Sequence, residues 1–153
     1  MLASIEIVST QSGPDGETGT IIRKAEGDFC LSSSDEFLLS YDEDLGEEDT
    51  EGTMPGEKVC LHTDAVMNRH MWRVTRSGAL ESDMMFIPGR SCDCEYRTPY
   101  GCVTLTIDDV HITMQEQKTD NGHFYIFEAA YRLQKEQYCI MKYKVSPDGE
   151  EEP

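Results

Sequence analysis

The sequence predicts an all-β protein, a closed or nearly closed antiparallel β-barrel of about 8–10 strands. Three observations carry this. Turn chemistry recurs at Pro14-Asp15-Gly16, Gly27-Asp28, Pro55-Gly56, Ser77-Gly78, Pro88-Gly89, Pro99-Tyr100-Gly101, Asp120-Asn121-Gly122 and Pro147-Asp148-Gly149, where glycine supplies positive φ and proline presets φ. Between these points lie short β-branched, aliphatic and aromatic runs. In the second half those runs alternate with period 2, as half-buried strands require. Many short strands with turns at short intervals make a sandwich or barrel.

In chain order, the strand runs are Ile5 to Val8, Thr20 to Ile22, Phe29 to Leu31, Glu36 to Leu39, Lys58 to Leu61 and His70 to Thr75, followed by Met84 to Ile87, Val103 to Met114, Phe124 to Leu133 and Tyr138 to Val145. Val103, Leu105 and Ile107 share one face, and Cys102, Thr104 and Thr106 the other. Glu128 to Gln137 is rich in helix formers, yet His123, Tyr125, Phe127, Ala129, Tyr131 and Leu133 alternate, so this stretch reads as strand. Met67, Met71 and Val74 fall at helical spacing, and a short helical turn is expected at Ala65 to Arg69.

At 153 residues the chain suits one domain with one core, expected over residues 1–146 with a disordered acidic tail at 147–153. Its mean hydropathy is −0.52 and no apolar run reaches the length of a bilayer-spanning helix. The first eleven residues carry no Lys or Arg, so no signal peptide is read. Six scattered cysteines in a chain of this size point to reduced thiols and a cytoplasmic setting rather than a disulfide framework. The formal charge of −17 repels phosphate backbones and anionic lipid surfaces, which argues against nucleic acid and membrane partners. Charge is uneven: seven of the ten residues from Asp42 to Glu51 are carboxylates, a solvated loop by composition, whereas five of the thirteen basic residues fall between Arg69 and Arg97.

Two segments are informative together: Arg76-Ser77-Gly78 followed by Met85-Phe86-x-x-Gly89, then Tyr96-Arg97-Thr98-Pro99-Tyr100-Gly101 leading into an alternating strand. Gly27-Asp28-Phe29 and Leu39-Ser40-Tyr41 agree in the first half. Over residues 3 to 146 this pattern resembles the bacterial YwiB-like family, which implies a calycin (lipocalin-like) β-barrel with no established activity. The chain departs from it in an acid-rich insertion around residues 47 to 56, in Asp109 where a Thr is expected, and in its cysteine content.

Motifs for catalysis and cofactors are weak. Cys92-x-Cys94 with Cys102 offers three thiols, but structural zinc wants four ligands and wider Cys pairs, so no metal is assigned. His62, His70, His111 and His123 have no metal-ligand spacing, and Asp42-x-Asp44 lacks the glycine position of a calcium loop. No Gly-x-Ser-x-Gly or phosphate loop is present, and Asp108-Asp109, adjacent on a strand, face opposite ways. No cofactor is expected, and no enzyme activity is read.

One strand carries the functional expectation. If Trp72 and Val74 face the core, parity turns His70 and Arg76 inward as well. An inward guanidinium must be paired or bind something. The expected function is therefore non-catalytic binding of a small, partly apolar anion inside the barrel, with Arg76 as anchor and Trp72, Phe86, Tyr96, Tyr125 and Phe127 as wall. The alternative is a barrel filled by its own side chains, acting as a protein-interaction module or homodimer.

Overall fold

The computed structural model describes residues 1–13, 15–32, 36–44, 60–78, 80–120 and 122–147, with the side chains of Asp44 and Cys60 set aside. Ten strands follow in order: β1 (Leu2–Ser12), β2 (Thr18–Leu31), β3 (Phe37–Asp44), β4 (Cys60–Met67), β5 (Trp72–Gly78), β6 (Glu81–Phe86), β7 (Cys92–Thr98), β8 (Gly101–Thr119), β9 (Gly122–Leu133) and β10 (Gln137–Pro147). Each pairs antiparallel with its sequence neighbours, and β10 returns to β1. The result is a closed up-and-down barrel, an arrangement that abolishes exposed sheet edges where its ladders are complete. No helix long and apolar enough to cross a membrane occurs among the described residues.

Alternation decides which side chains enter the barrel. In β10, Cys139, Met141, Tyr143, Val145 and Pro147 are buried while the residues between them are not. In β9, Phe127, Ala129 and Tyr131 are buried at the same period, so strand wins over helix propensity there because only the strand period puts all three inside. β8 holds a bulge, with the register against β9 shifting between Asp108 and His111 and Asp109 at φ 51°. The extra residue resets parity, so that Ile107 and Val110 both point inward. A β-branched residue tolerates that backbone poorly, whereas aspartate adopts it more readily.

Several expectations need correction. Gly27-Asp28 is not a turn: Thr20 to Ile22 and Phe29 to Leu31 belong to the single 14-residue β2. Ala65 to Arg69 holds no helical turn, because Ala65 to Met67 finish β4 and Asn68 opens a tight connection in which its side-chain oxygen accepts from the His70 amide at 2.8 Å. β5 therefore starts at Trp72, and His70 is exposed in that connection rather than inward. Cys92–Thr98 is a full strand. Pro147 pairs with Ala3, and the remaining tail, the acidic stretch beyond Asp44 and Pro55-Gly56 lie outside the described residues.

Aromatic side chains occupy the middle and lower part of the interior, the lower end being the one with the β2–β3, β4–β5, β6–β7 and β8–β9 connections. Trp72 lies 5.9 Å from Tyr143 in a stacked arrangement and 6.5 Å from both Phe86 and Phe127. Below them Phe29, Phe37, Tyr125 and Phe127 interlock at 5.1 to 6.2 Å. Each fully buried ring of this kind contributes about 1.5–3 kcal/mol through area removed from water, with more from tilted ring pairs.

Candidate functional site

Above the aromatic layer the interior turns polar. Five neighbouring strands place inward residues at one level, each the register partner of the next: Tyr41 with Thr63, Thr63 with Arg76, Arg76 with Ser82, and Ser82 with Tyr96. Directly opposed residues on one sheet face have Cβ atoms about 4.5–5.5 Å apart, so these side chains form a continuous belt. Tyr143 of β10 joins it from the far wall, its hydroxyl 3.0 Å from that of Tyr41. Thr63 and Tyr143 are fully buried, with Tyr41 at 2% and Ser82 at 7% exposure.

The belt is under-satisfied. Thr63 Oγ1, Arg76 Nε and Ser82 Oγ in the belt, and Trp72 Nε1 beneath it, are buried without a hydrogen-bond partner, each at a cost in desolvation free energy, while the Arg76 side chain also hydrogen-bonds Tyr96 and Tyr143. Among the described residues no carboxylate lies within ion-pairing distance of Arg76. Glu43, next inward on β3, is committed to Arg23 at 3.1 Å. Burial opposes the Arg76 charge, but attraction to Tyr143, Tyr41, Tyr96 and Glu43 turns the net direction upward, and the guanidinium remains charged. Burial is also the main reason that Tyr41, Tyr96, Tyr131 and Tyr143 all titrate above the usual tyrosine range. The belt thus presents one cation among protonated hydroxyls, a set suited to an oxyanion, and the open cleft of about 310 Å³ that reaches Arg76 and Ser82 is also lined by Glu81, Asp83, Glu95 and Arg97.

The residues anticipated for binding divide between two places. Arg76 and Tyr96 sit in the belt, and Trp72 and Phe86 lie beneath it. Tyr96 donates its hydroxyl to Met84 Sδ at 3.0 Å. Phe127 buttresses Trp72 from below, and Tyr125 belongs to the lower mouth, where an open cleft of about 440 Å³ is lined by Phe37, Arg69, His70, Met114, Tyr125 and Phe127. Sequence reasoning missed Tyr41, Thr63, Ser82 and Tyr143. Tyr143 alternates visibly with Met141 and Val145, but nothing in the sequence sets β3, β4 and β6 at the level of Arg76.

Elsewhere, His62 on the outer face bridges Asp42 at 2.6 Å and Asp64 at 3.1 Å, with Ser40 Oγ 3.4 Å from Nε2. Asp64 competes with Ser40 for that nitrogen, so the serine has no dedicated base. Five described cysteines are free thiols, Cys94 and Cys139 buried and Cys30, Cys92 and Cys102 more accessible. Among the described residues no three His, Cys, Asp or Glu side chains are grouped as metal ligands.

A family model described as "Domain of unknown function (DUF1934)" matches residues 5–146. Among solved structures the chain is similar to the crystal structure of the ywiB protein from Bacillus subtilis, with a TM-score of 0.70, 19% sequence identity, and coverage of 95% of this chain and 90% of that one. At that identity the likeness is one of fold. No curated protein matches the chain.

Proposed function

We propose, from the premise that this chain belongs to the DUF1934 family, that it binds a small oxyanion in the upper chamber of the barrel, with Arg76 as the charged anchor. One observation carries this reading: among the described residues the half-buried Arg76 has no ion-paired carboxylate, and its Nε, with Thr63 Oγ1 and Ser82 Oγ on the neighbouring strands, is buried without a hydrogen-bond partner. Folded proteins rarely leave such groups orphaned in one place unless something completes them. A carboxylate or phosphate would accept from the guanidinium and the hydroxyls together.

Size follows from packing. Trp72 packs against both Phe86 and Tyr143 across the interior, so the reading expects an apolar portion limited to a short group against Trp72, Phe86 and Tyr96, and no binding of long acyl chains. The test is a titration of the full-length protein with inorganic phosphate, butyrate and laurate, followed by the fluorescence of Trp72, the single tryptophan. Saturable quenching by phosphate or butyrate but not by laurate supports the reading. No response to either small anion overturns it.

A second reading, an interaction module, is favoured by Ile22, exposed at 62% on the outer face of β2. A second copy of the chain would bury it. Sedimentation analysis of the parent and of Ile22→Lys distinguishes it: a dimer lost in the variant supports this reading, and a monomeric parent removes it.

A further inference from the structure

We infer that the upper seam between β2 and β3 is the portal to the polar chamber, and that the ion pair of Arg23 with Glu43 is its latch. The β2–β3 ladder runs only from Leu31 and Phe37 to Gly27 and Tyr41. Among the described residues the ladder to β3 stops beyond Gly27, while β2 stays paired to β1 as far as Thr18. Gly27 marks the crossing point: a Cβ there would collide with the Ser40 carbonyl oxygen and lie 2.7 Å from Tyr41 Cβ. The two strands crowd at that residue and separate above it.

Burial records the gap. Phe29, Gly27, Ala25 and Arg23 share the inward face of β2, and their exposure climbs from 3% at Phe29 to 44% for the Arg23 side chain. Across the seam, β3 keeps Tyr41 at 2% and Glu43 at 8%. The inner wall of β2 is thus wet beside the chamber that holds Tyr41 and Arg76. Among the described residues the span above Gly27 is bridged by Arg23 Nη1 to Glu43 Oε2 at 3.1 Å. A half-exposed ion pair is weak in competition with water and opens readily. Its chemistry also suits the traffic: Arg23 at the rim exchanges Glu43 for an incoming anion, and Arg76 receives it inside. What passes rests on the proposed anion binding, whereas the seam itself can be tested without any ligand.

Cys139 supplies the readout, since its thiol is 2% exposed and pairs across strands with Tyr131 in the same upper interior. In full-length protein, alkylation by iodoacetamide is followed at each cysteine by mass spectrometry, with the exposed Cys30 as internal reference. Arg23→Gln and Glu43→Gln each accelerate Cys139 by roughly fivefold or more relative to Cys30, independently of low urea, as local opening requires. An unchanged Cys139 rate overturns the portal, and so does a rise that tracks urea as global unfolding does. Phosphate binding rates, read from Trp72 in the same variants, separate the two ideas. Faster Cys139 labelling with no phosphate or butyrate bound by any variant keeps the portal and removes the anion reading. Binding at parental rates with unchanged Cys139 labelling does the opposite.

Discussion

Arg76 brings a full charge into a wall of hydroxyl groups, and this sets how its replacement behaves. Removing one partner of a buried ion pair costs about 3–5 kcal/mol because the other charge is stranded. Among the described residues no carboxylate is paired to Arg76, so Arg76→Met keeps volume and strands no charge, only its hydrogen bonds to the Tyr96 and Tyr143 hydroxyls being lost. Its ligand-free stability, measured by urea unfolding, is expected to equal or exceed the parent's; a loss of that size would reveal a hidden carboxylate partner. Tyr41→Phe removes the bond to Tyr143 and is expected to cost about 1 kcal/mol in the same assay. His62 gives a pH signature: its hydrogen bond to Asp42 first, and the field of Asp64 after it, raise its pKa. A raised folded pKa means that the stabilisation is complete below the unfolded value of about 6.5 and is lost as pH rises through the folded value. The melting temperatures of the parent and His62→Gln should therefore differ most in mild acid and converge in mild alkali. Added salt should shrink the difference, since these side chains are exposed.

Gly27 shows how one residue shapes an element. Read in sequence, Gly27-Asp28 has turn chemistry, yet the glycine lies inside a continuous β2 because β3 passes too close for any side chain. Gly27→Ala is expected to cost about 1–3 kcal/mol as overpacking, measured by urea unfolding; a neutral substitution would mean the strands can separate there freely. The same element explains what sequence could and could not supply. Alternation in β8, β9 and β10 was legible because apolar or aromatic residues recur at every second position along these strands. β7 was legible only at Cys92 and Cys94, which the spacing puts on one face of a strand, since Asp93, Glu95 and Arg97 leave no apolar run to mark its full length. The helical spacing of Met67, Met71 and Val74 is an accident of two strands and the connection between them. Arg76 was legible from its parity with Trp72, but its hydroxyl partners come from strands far apart in sequence, and only register brings them level.

At the scale of the molecule, a closed barrel with an aromatic lower half and a polar upper chamber needs no cross-links. The five described cysteines are free, and unfolded, non-reduced protein should titrate close to six thiols, whereas two or more disulfides would contradict the reduced state inferred from composition. The formal charge of −17 makes anion binding electrostatically costly at long range, so selectivity has to arise locally, at Arg23 and Arg76. The belt accounts for that by setting a half-buried cation beside orphaned hydroxyl donors. The most direct test is calorimetric titration of inorganic phosphate and butyrate into the parent and into Arg76→Met, at fixed ionic strength. One saturable site in the parent for at least one of the two anions, absent in a variant of equal or greater stability, is the result expected. A parent that binds neither anion, or a variant that binds as the parent does, contradicts the account.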